Sequence, residues 1–417
     1  MRVALAFGRH GTTVEVPETA TVVAPGDPAP LADEGAAVTK SLGAPLSGPP
    51  LADLVGPGDT VAVVFPDLTR PMPNRTVLPP VLAELARLGV APERIELLCA
   101  TGTHRQASAA EMAELVGPDV VGRYRIHDHR ADDGEHVLVG RVDGAAVRLD
   151  RRYVAADVRI CTGFVEPHFF AGFSGGPKGV CPGLADTETI LEAHRPWRIA
   201  DPRATWTVTD GNPVHDFVRA AAALEPPTLC LDVAIDRRRR LTGVFTGPLP
   251  DGHRAACEFV GRQAVAPVDG RFEVVVSTNG GHPLDRNLYQ AVKGMSAAGR
   301  VVADGGIIVM AAPCGDGVPA ASAFARLLAA SAGPGELVDP TGPGDLDQWQ
   351  AQILGRVLQR AEVWLFAPGL DDDEVRSAHL RPVHDLDAAV RRALSAAGPG
   401  ARVCVLPEGP LTVAGAG

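Results

Sequence analysis

Short apolar strands alternate along this chain with helical stretches, each pair joined by a loop of Gly, Thr, Pro or Asp, and this alternation limits the folds open to it more than any other feature. Thr60–Phe65 reads as a strand, Pro66-Asp67-Leu68-Thr69-Arg70-Pro71 as its loop, and Arg75–Leu88 as a helix with apolar residues at helical spacing. Arg94–Cys99 is the next strand and Ala100–Arg105 its loop. Ser108 with Glu111 three residues on has the pattern of a capping box. Val158–Cys161 is a further strand and runs into Glu166-Pro-His-Phe-Phe-Ala-Gly-Phe-Ser-Gly-Gly-Pro-Lys178. Strand, crossover helix and strand in succession build a parallel sheet. The grammar resumes near residue 266, with strands at Phe272–Ser277, Gly306–Ala311, Glu362–Ala367 and Arg402–Leu406. Leu288–Ala298, Ala320–Ala330 and Leu346–Arg360 look helical, and the Gly/Pro-rich piece 331–344 reads as a loop.

The expected fold is therefore α/β, with two domains, 1–265 and 266–417, each a doubly wound, mostly parallel sheet. In open sheets of this kind ligands bind beyond the carboxyl ends of the strands. Asp67, Arg70, His104 and His168 all fall just after strands, so they are expected on one rim, with an active site in the cleft between the domains.

Composition narrows the partners. A net charge of -11 argues against non-specific nucleic-acid binding, which needs a basic face. The one basic run, Arg237–Arg240, reads as an exposed hairpin turn. Seven cysteines are scattered without a CxxC pair, several inside apolar runs, as buried free thiols in a reducing compartment would be. The opening Met1–Gly8 is a short strand rather than a signal sequence, and no apolar run approaches the roughly 20 residues that span a bilayer. A cytoplasmic location is expected.

Several loop residues bear chemistry. Loop histidines are often merely solvated, but His104 and His168 on one rim would make an acid/base pair that titrates near neutrality. Lys178 lacks the Gly-Lys-Ser/Thr of a nucleotide-triphosphate loop; its glycines still suit an anion, and its amine suits covalent attachment. His194 is a poor metal site alone, and HExxH or Cys/His quartets are absent from the sequence. Asp67 and Arg70 form a surface ion pair near a turn or part of a site. Tyr289, Gln290 and Lys293 share a helical face that is either solvated or suited to a small carboxylate, and Trp349 is packing or site.

Taken in order, Asp67-Leu-Thr-Arg-Pro, Thr101-Gly-Thr-His, Glu166-Pro-His, Ser174-Gly-Gly-Pro-Lys, His194-Arg-Pro and Tyr289-Gln-Ala-Val-Lys resemble the nickel-dependent lactate racemase family. The resemblance implies an isomerase, a racemase or epimerase of small 2-hydroxy acids. It implies a nickel-pincer nucleotide, a pyridinium mononucleotide with thioamide and thioacid groups, attached covalently to Lys178 and supplied by cofactor-maturation enzymes. By the same resemblance His194 ligates nickel, His104 and His168 exchange the hydroxyl proton, and Asp67, Leu68, Thr69 and Arg70 contact the cofactor. Gln290, Lys293, Tyr289, Arg70 and Trp349 would hold the substrate; Trp349 falls where the family has a tryptophan near its active site.

The implied reaction removes the C2 hydrogen as hydride, because a proton beside a carboxylate anion is a poor acid, and the pyridinium is the acceptor. The ketone then reorients, and a second histidine serves the other enantiomer. Epimerisation of a larger sugar acid on the same cofactor, or a non-catalytic cofactor carrier, are the alternatives the motifs leave open.

Overall fold

Strand-forming runs and the crossovers between them build two six-stranded sheets in the computed structural model, which describes residues 1–26, 28–319, 322–342 and 344–416. The chain divides into two compact units, one of residues 27–193 and 207–262, the other of 1–26, 194–206 and 263–417. This differs from a single cut at 265/266, because two N-terminal segments join the C-terminal unit.

In the first unit, β1 (Val61–Pro66), β2 (Ile95–Ala100), β3 (Arg125–Asp128), β4 (Val158–Phe164), β5 (Leu229–Ile235) and β6 (Leu241–Gly247) form a six-stranded sheet in the order β6-β5-β4-β1-β2-β3. β1 to β5 are parallel, and β6 returns antiparallel to β5. The chain builds outward from β1 through β2 and β3, then crosses back to add β4 and β5 on the other side. The point of reversal lies between β1 and β4, where such sheets open a crevice.

Both faces of the sheet are covered. Val61, Val63 and Phe65 point into one apolar cluster while Ala62 and Val64 point into another. Such two-sided burial explains why β1 reads as a continuous apolar run rather than an alternating one. The helix α1 (Asn74–Arg87) follows the β1 loop, and α2 (Ala109–Val116) begins at a capping box in which both Ser108–Glu111 hydrogen bonds are present. The arginine run is the β5–β6 turn. Asp236 accepts from the N–H groups of Arg238 at 2.8 Å and Arg240 at 2.9 Å, so its carboxylate organises the turn.

The second unit holds β7 (Phe272–Thr278), β8 (Val302–Ala311), β9 (Glu362–Phe366), β10 (Arg381–Pro382) and β11 (Val403–Leu406), in the order β10-β9-β8-β7-β11. The short strand Thr21–Val22 adds outside β11, and every pairing in this sheet is parallel. That pairing, with Val3, Leu5, Val14 and Val16 buried in the core beneath this sheet, holds the N-terminal residues in this unit. The other inserted segment, 194–206, is fixed to it by two charged or amide side chains of one helix (Gln348–Leu358). Gln352 donates to the Pro196 carbonyl at 2.8 Å and Arg356 to that of Ile199 at 2.9 Å.

Two readings need adjustment. The stretch 331–344 is not all loop, since Pro334–Leu337 forms a helical turn; Pro343 lies outside the described residues. The helix expected over Ala320–Ala330 runs over Ala323–Ala330, capped by Ser322, with Ala320 and Ala321 outside the described residues. All seven cysteines are free and buried. Among the described residues no helix is long and apolar enough to cross a membrane.

Candidate active site

The loops that leave β1, β2 and β4 carry the candidate residues of the first unit. After β1 the backbone turns back, with Arg70 N–H donating to the Asp67 carbonyl at 3.2 Å. This places the buried Asp67 carboxylate against the β2 loop, where its Oδ2 lies 3.0 Å from His104 Nδ1. Thr69 donates its hydroxyl to Asp67 Oδ1 at 2.8 Å and holds the other oxygen. Burial alone pushes the Asp67 carboxyl up, but the facing His104 ring, its hydrogen bond and the nearby Arg70 outweigh this and hold it below the ordinary aspartate value.

A carboxylate accepts only, so His104 Nδ1 carries a proton, and in the neutral ring Nε2 is the atom that keeps the lone pair. His104 is the more exposed partner of the two. Asp67, expected as a cofactor contact, is thus the hydrogen-bond partner of His104. Asp67 and Arg70 do not form the direct pair their spacing suggests. Arg70 Nη1 instead meets Glu166 Oε1 at 3.3 Å, linking the β1 loop to the β4 loop. Leu68 is half-buried in the same turn.

His168 is set up differently. Its Nδ1 accepts from the N–H of Ala171 at 3.2 Å and of Phe170 at 3.5 Å, which leaves the ring proton on Nε2. In their neutral forms His104 therefore offers a bare Nε2 and His168 an Nε2–H. Phe169 stacks on the His168 ring at 4.8 Å and Phe170 meets it edge-on at 4.5 Å. Lys178 Nζ lies 5.7 Å from the centre of the same Phe170 ring. The nine residues between His168 and Lys178 thus close into a fold in which one phenyl group lies beside both.

Glycine makes that fold possible. Lys178 sits in the 3-10 turn Gly176–Gly179, entered through Gly175 and Gly176 with φ of 79° and 50°. Gly176 N–H donates to Asp232 Oδ1 at 2.9 Å, and Lys178 N–H to the Gly175 carbonyl at 3.1 Å. A methyl group at Gly176 would meet the His253 ring at 2.4 Å. Gly176→Ala is expected to lower stability by about 1–3 kcal/mol through left-handed strain and this clash. Thermal denaturation checks it, and an unchanged melting temperature would show that the turn relaxes freely.

In the second unit His194 follows the helix Thr187–Ala193 and is buried against Trp349, ring centres 4.5 Å apart. Trp349 donates its indole N–H to the Tyr289 hydroxyl at 3.2 Å. The structure thus joins His194, Trp349 and Tyr289 in one chain of contacts. Gln290 and Lys293 lie half-buried on the same helix as Tyr289, Leu288–Gly299, whose start Asn287 caps through the Gln290 N–H. Among the described residues no group of three or more His, Cys, Asp or Glu side chains is placed to hold a metal ion.

Residues absent from the sequence reading complete the first unit's site. Glu166 was visible only as part of a motif, Asp232 lies within an apolar strand, and His253 lies on a helix with no local signal. Asn212 did carry one, since Asn-Pro is a common helix start. Its side chain caps Val214 and also holds the Phe170 carbonyl at 2.9 Å.

Comparison with known proteins gives one consistent result. Residues 7–207 match the lactate racemase N-terminal domain and residues 269–413 the lactate racemase C-terminal domain. The chain is 33% identical over 383 residues to the lactate racemase of Thermoanaerobacterium thermosaccharolyticum, covering 89% of this chain and 88% of that one. It is 34% identical over 380 residues to that of Lactiplantibacillus plantarum, covering 89% of each. Its structure is similar to the lactate racemase apoprotein from Thermoanaerobacterium thermosaccharolyticum, with a TM-score of 0.92 at 30% identity, covering 99% of this chain and 100% of that one. A protein from Thermotoga maritima shares the fold at 19% identity, with a TM-score of 0.70 over 94% of this chain and 99% of that one.

Proposed function

The chain belongs to the lactate racemase family and is an isomerase, and from that premise we propose that it interconverts the enantiomers of lactate or a similar small 2-hydroxy acid. In this reading the C2 hydrogen leaves and returns with its electron pair while His104 and His168 handle the hydroxyl proton. The observation that carries it is the opposite hydrogen bonding of the two rings. His104 has an Nε2 lone pair backed by the Asp67 carboxylate, which stabilises the imidazolium once a proton is taken. His168 has an Nε2–H fixed by two backbone donors at Nδ1, which suits it to donate a hydrogen bond to an oxygen.

The residues present fit the nickel-pincer nucleotide of the family. Lys178 is an amine in a glycine turn, pinned beside an aromatic ring, and would hold the nucleotide. Buried His194 would give nickel its protein ligand, and the nucleotide's sulfur and carbon would give the others. When bound, the pyridinium supplies an acceptor for the C2 hydrogen and its electron pair. Asp67, through His104, keeps the base in the tautomer that accepts a proton. Arg70 brings a cation and Glu166 fixes it, a pairing suited to orienting a substrate carboxylate. Gln290, Lys293 and Tyr289 with Trp349 are the proposed substrate contacts of the second unit, and the enzymes that make the nucleotide are the proposed partners.

The test uses cofactor-loaded protein with lactate deuterated at C2. The expected result is interconversion of the enantiomers with deuterium kept in the product. Washout of the label into water would point to proton abstraction instead, and no interconversion would remove the reading. The equilibrium constant between enantiomers is one, so kcat/KM stays equal in the two directions even in variants. The unequal roles of His104 and His168 are therefore expected in pre-steady-state ketone formation, where His104→Ala and His168→Ala should slow opposite enantiomers more.

A further inference from the structure

A cavity of about 650 Å³ lies in the first unit behind the lysine turn, lined among others by Phe173, Pro177, His215, Leu249, His253 and Cys257. None of Asp67, Arg70, His104, His168 and Lys178 lines it. Its volume is that of a small-molecule site. Its deep wall is polar in one specific way. His215 is buried and donates from Nδ1 to the Ala171 carbonyl at 3.2 Å. Burial, with the neighbouring His253, Arg219 and Lys178, lowers its pKa to about 3, so the ring is neutral at any ordinary pH. Its Nε2 therefore holds a lone pair, and the hydrogen bond seen for this ring is made by Nδ1.

The ring of His253 lies nearly parallel to that of His215 at 5.8 Å and spends its Nε2 on the Ser174 carbonyl at 2.9 Å. Burial pushes the Cys257 thiol up, so it stays protonated. At the mouth each arginine already faces a carboxylate: Arg219 meets Asp216 at 2.9 Å and Arg254 meets Asp251 at 2.9 Å. Asp210 and Glu258 add negative charge there. An anion gains nothing at such a mouth. What the cavity lacks is an apolar, flat body against Phe173, Pro177 and Leu249, with one hydrogen-bond donor for His215.

We propose that this cavity is a second ligand site, which takes an uncharged planar heteroaromatic whose N–H donates to His215 Nε2. The site touches the catalytic loop from behind. His215 holds the Ala171 carbonyl, and the Ala171 N–H in turn holds His168 Nδ1 at 3.2 Å. Through His253 and Pro177 it also borders the turn that carries Lys178. An occupant is thus placed to brace the loop on which both candidate residues sit.

The test is titration of the full chain, labelled with ¹⁵N-histidine, with benzimidazole, indole and adenine, and with benzoate and inorganic phosphate as anionic controls. Saturable shifts of the His215 and His253 ring signals by at least one neutral probe, with a dissociation constant of about 1 mM or below, are expected. His215→Phe should weaken that probe about tenfold by removing the acceptor while keeping the ring. That variant also loses the Ala171 hydrogen bond, so a second one, Ala223→Phe, narrows the cavity from the rim residue that ends the helix Pro213–Ala222 and touches no loop contact; it should weaken binding with the fold intact. No saturable binding of any neutral probe, binding unaffected by both variants, or tighter binding of benzoate or phosphate would each overturn the assignment.

Discussion

Replacing Lys178 with arginine is expected to abolish the covalent cofactor mass and to lower racemisation by at least ~10³-fold. Arginine keeps a cation near the Phe170 ring, so the 5.7 Å contact and its small stabilisation have a substitute. It lacks an amine that can be acylated, so the attachment is removed while a cation is kept. The turn itself should survive, because its backbone is held by Asp232 at Gly176 and by the Gly175 carbonyl at Lys178, neither of which involves the lysine side chain. Intact-mass spectrometry reads the adduct directly, without any assumption about which substrate is turned over. An undiminished adduct in the arginine variant would remove Lys178 from its proposed role. Loss of the adduct with activity retained would show that the nucleotide works untethered.

Much of the fold was legible because it rests on local signals. Apolar runs bounded by Gly, Pro and Asp marked the strands, Ser108 with Glu111 marked a helix start, and the Arg237–Arg240 run proved to be a turn built on Asp236. What escaped was set by pairing at long range. Asp67 and Arg70, three apart, suggested each other, yet Asp67 meets a histidine 37 residues on and Arg70 a glutamate 96 residues on. A parallel sheet brings together the ends of strands that are distant in sequence, so neighbours in space have no spacing rule to betray them. The inclusion of 1–26 and 194–206 in the second unit has the same cause. Burial of Val3, Leu5, Val14 and Val16 against the second sheet, two residues of strand and a few side-chain hydrogen bonds hold them there, and none of these shows in local spacing.

Asp67→Asn is expected to lower kcat by roughly 10²–10⁴-fold with the fold retained, and to add little further loss to His104→Ala. The geometry gives the reason. Asp67 Oδ2 at 3.0 Å can only accept, which keeps the proton on His104 Nδ1 and the lone pair on Nε2. An asparagine amide turned the same way offers N–H donors, stabilises the other tautomer and leaves Nε2 without its lone pair. If the carboxylate acts only through the ring, removing the ring first leaves it nothing to do, and the double variant should resemble His104→Ala alone. Additive losses would instead give Asp67 an independent contact, as its expected place beside the cofactor implies. A pH series supplies a second readout that activity does not. The folded pKa of Asp67 lies below its ordinary value of 3.8, so the pair's contribution to stability is present above that value and lost as pH falls through the folded one. In Asp67→Asn that acid loss should disappear from the denaturation profile. A variant with the same acid limb as the parent would show that other carboxylates set it, and the dyad would then rest on the double-variant kinetics alone.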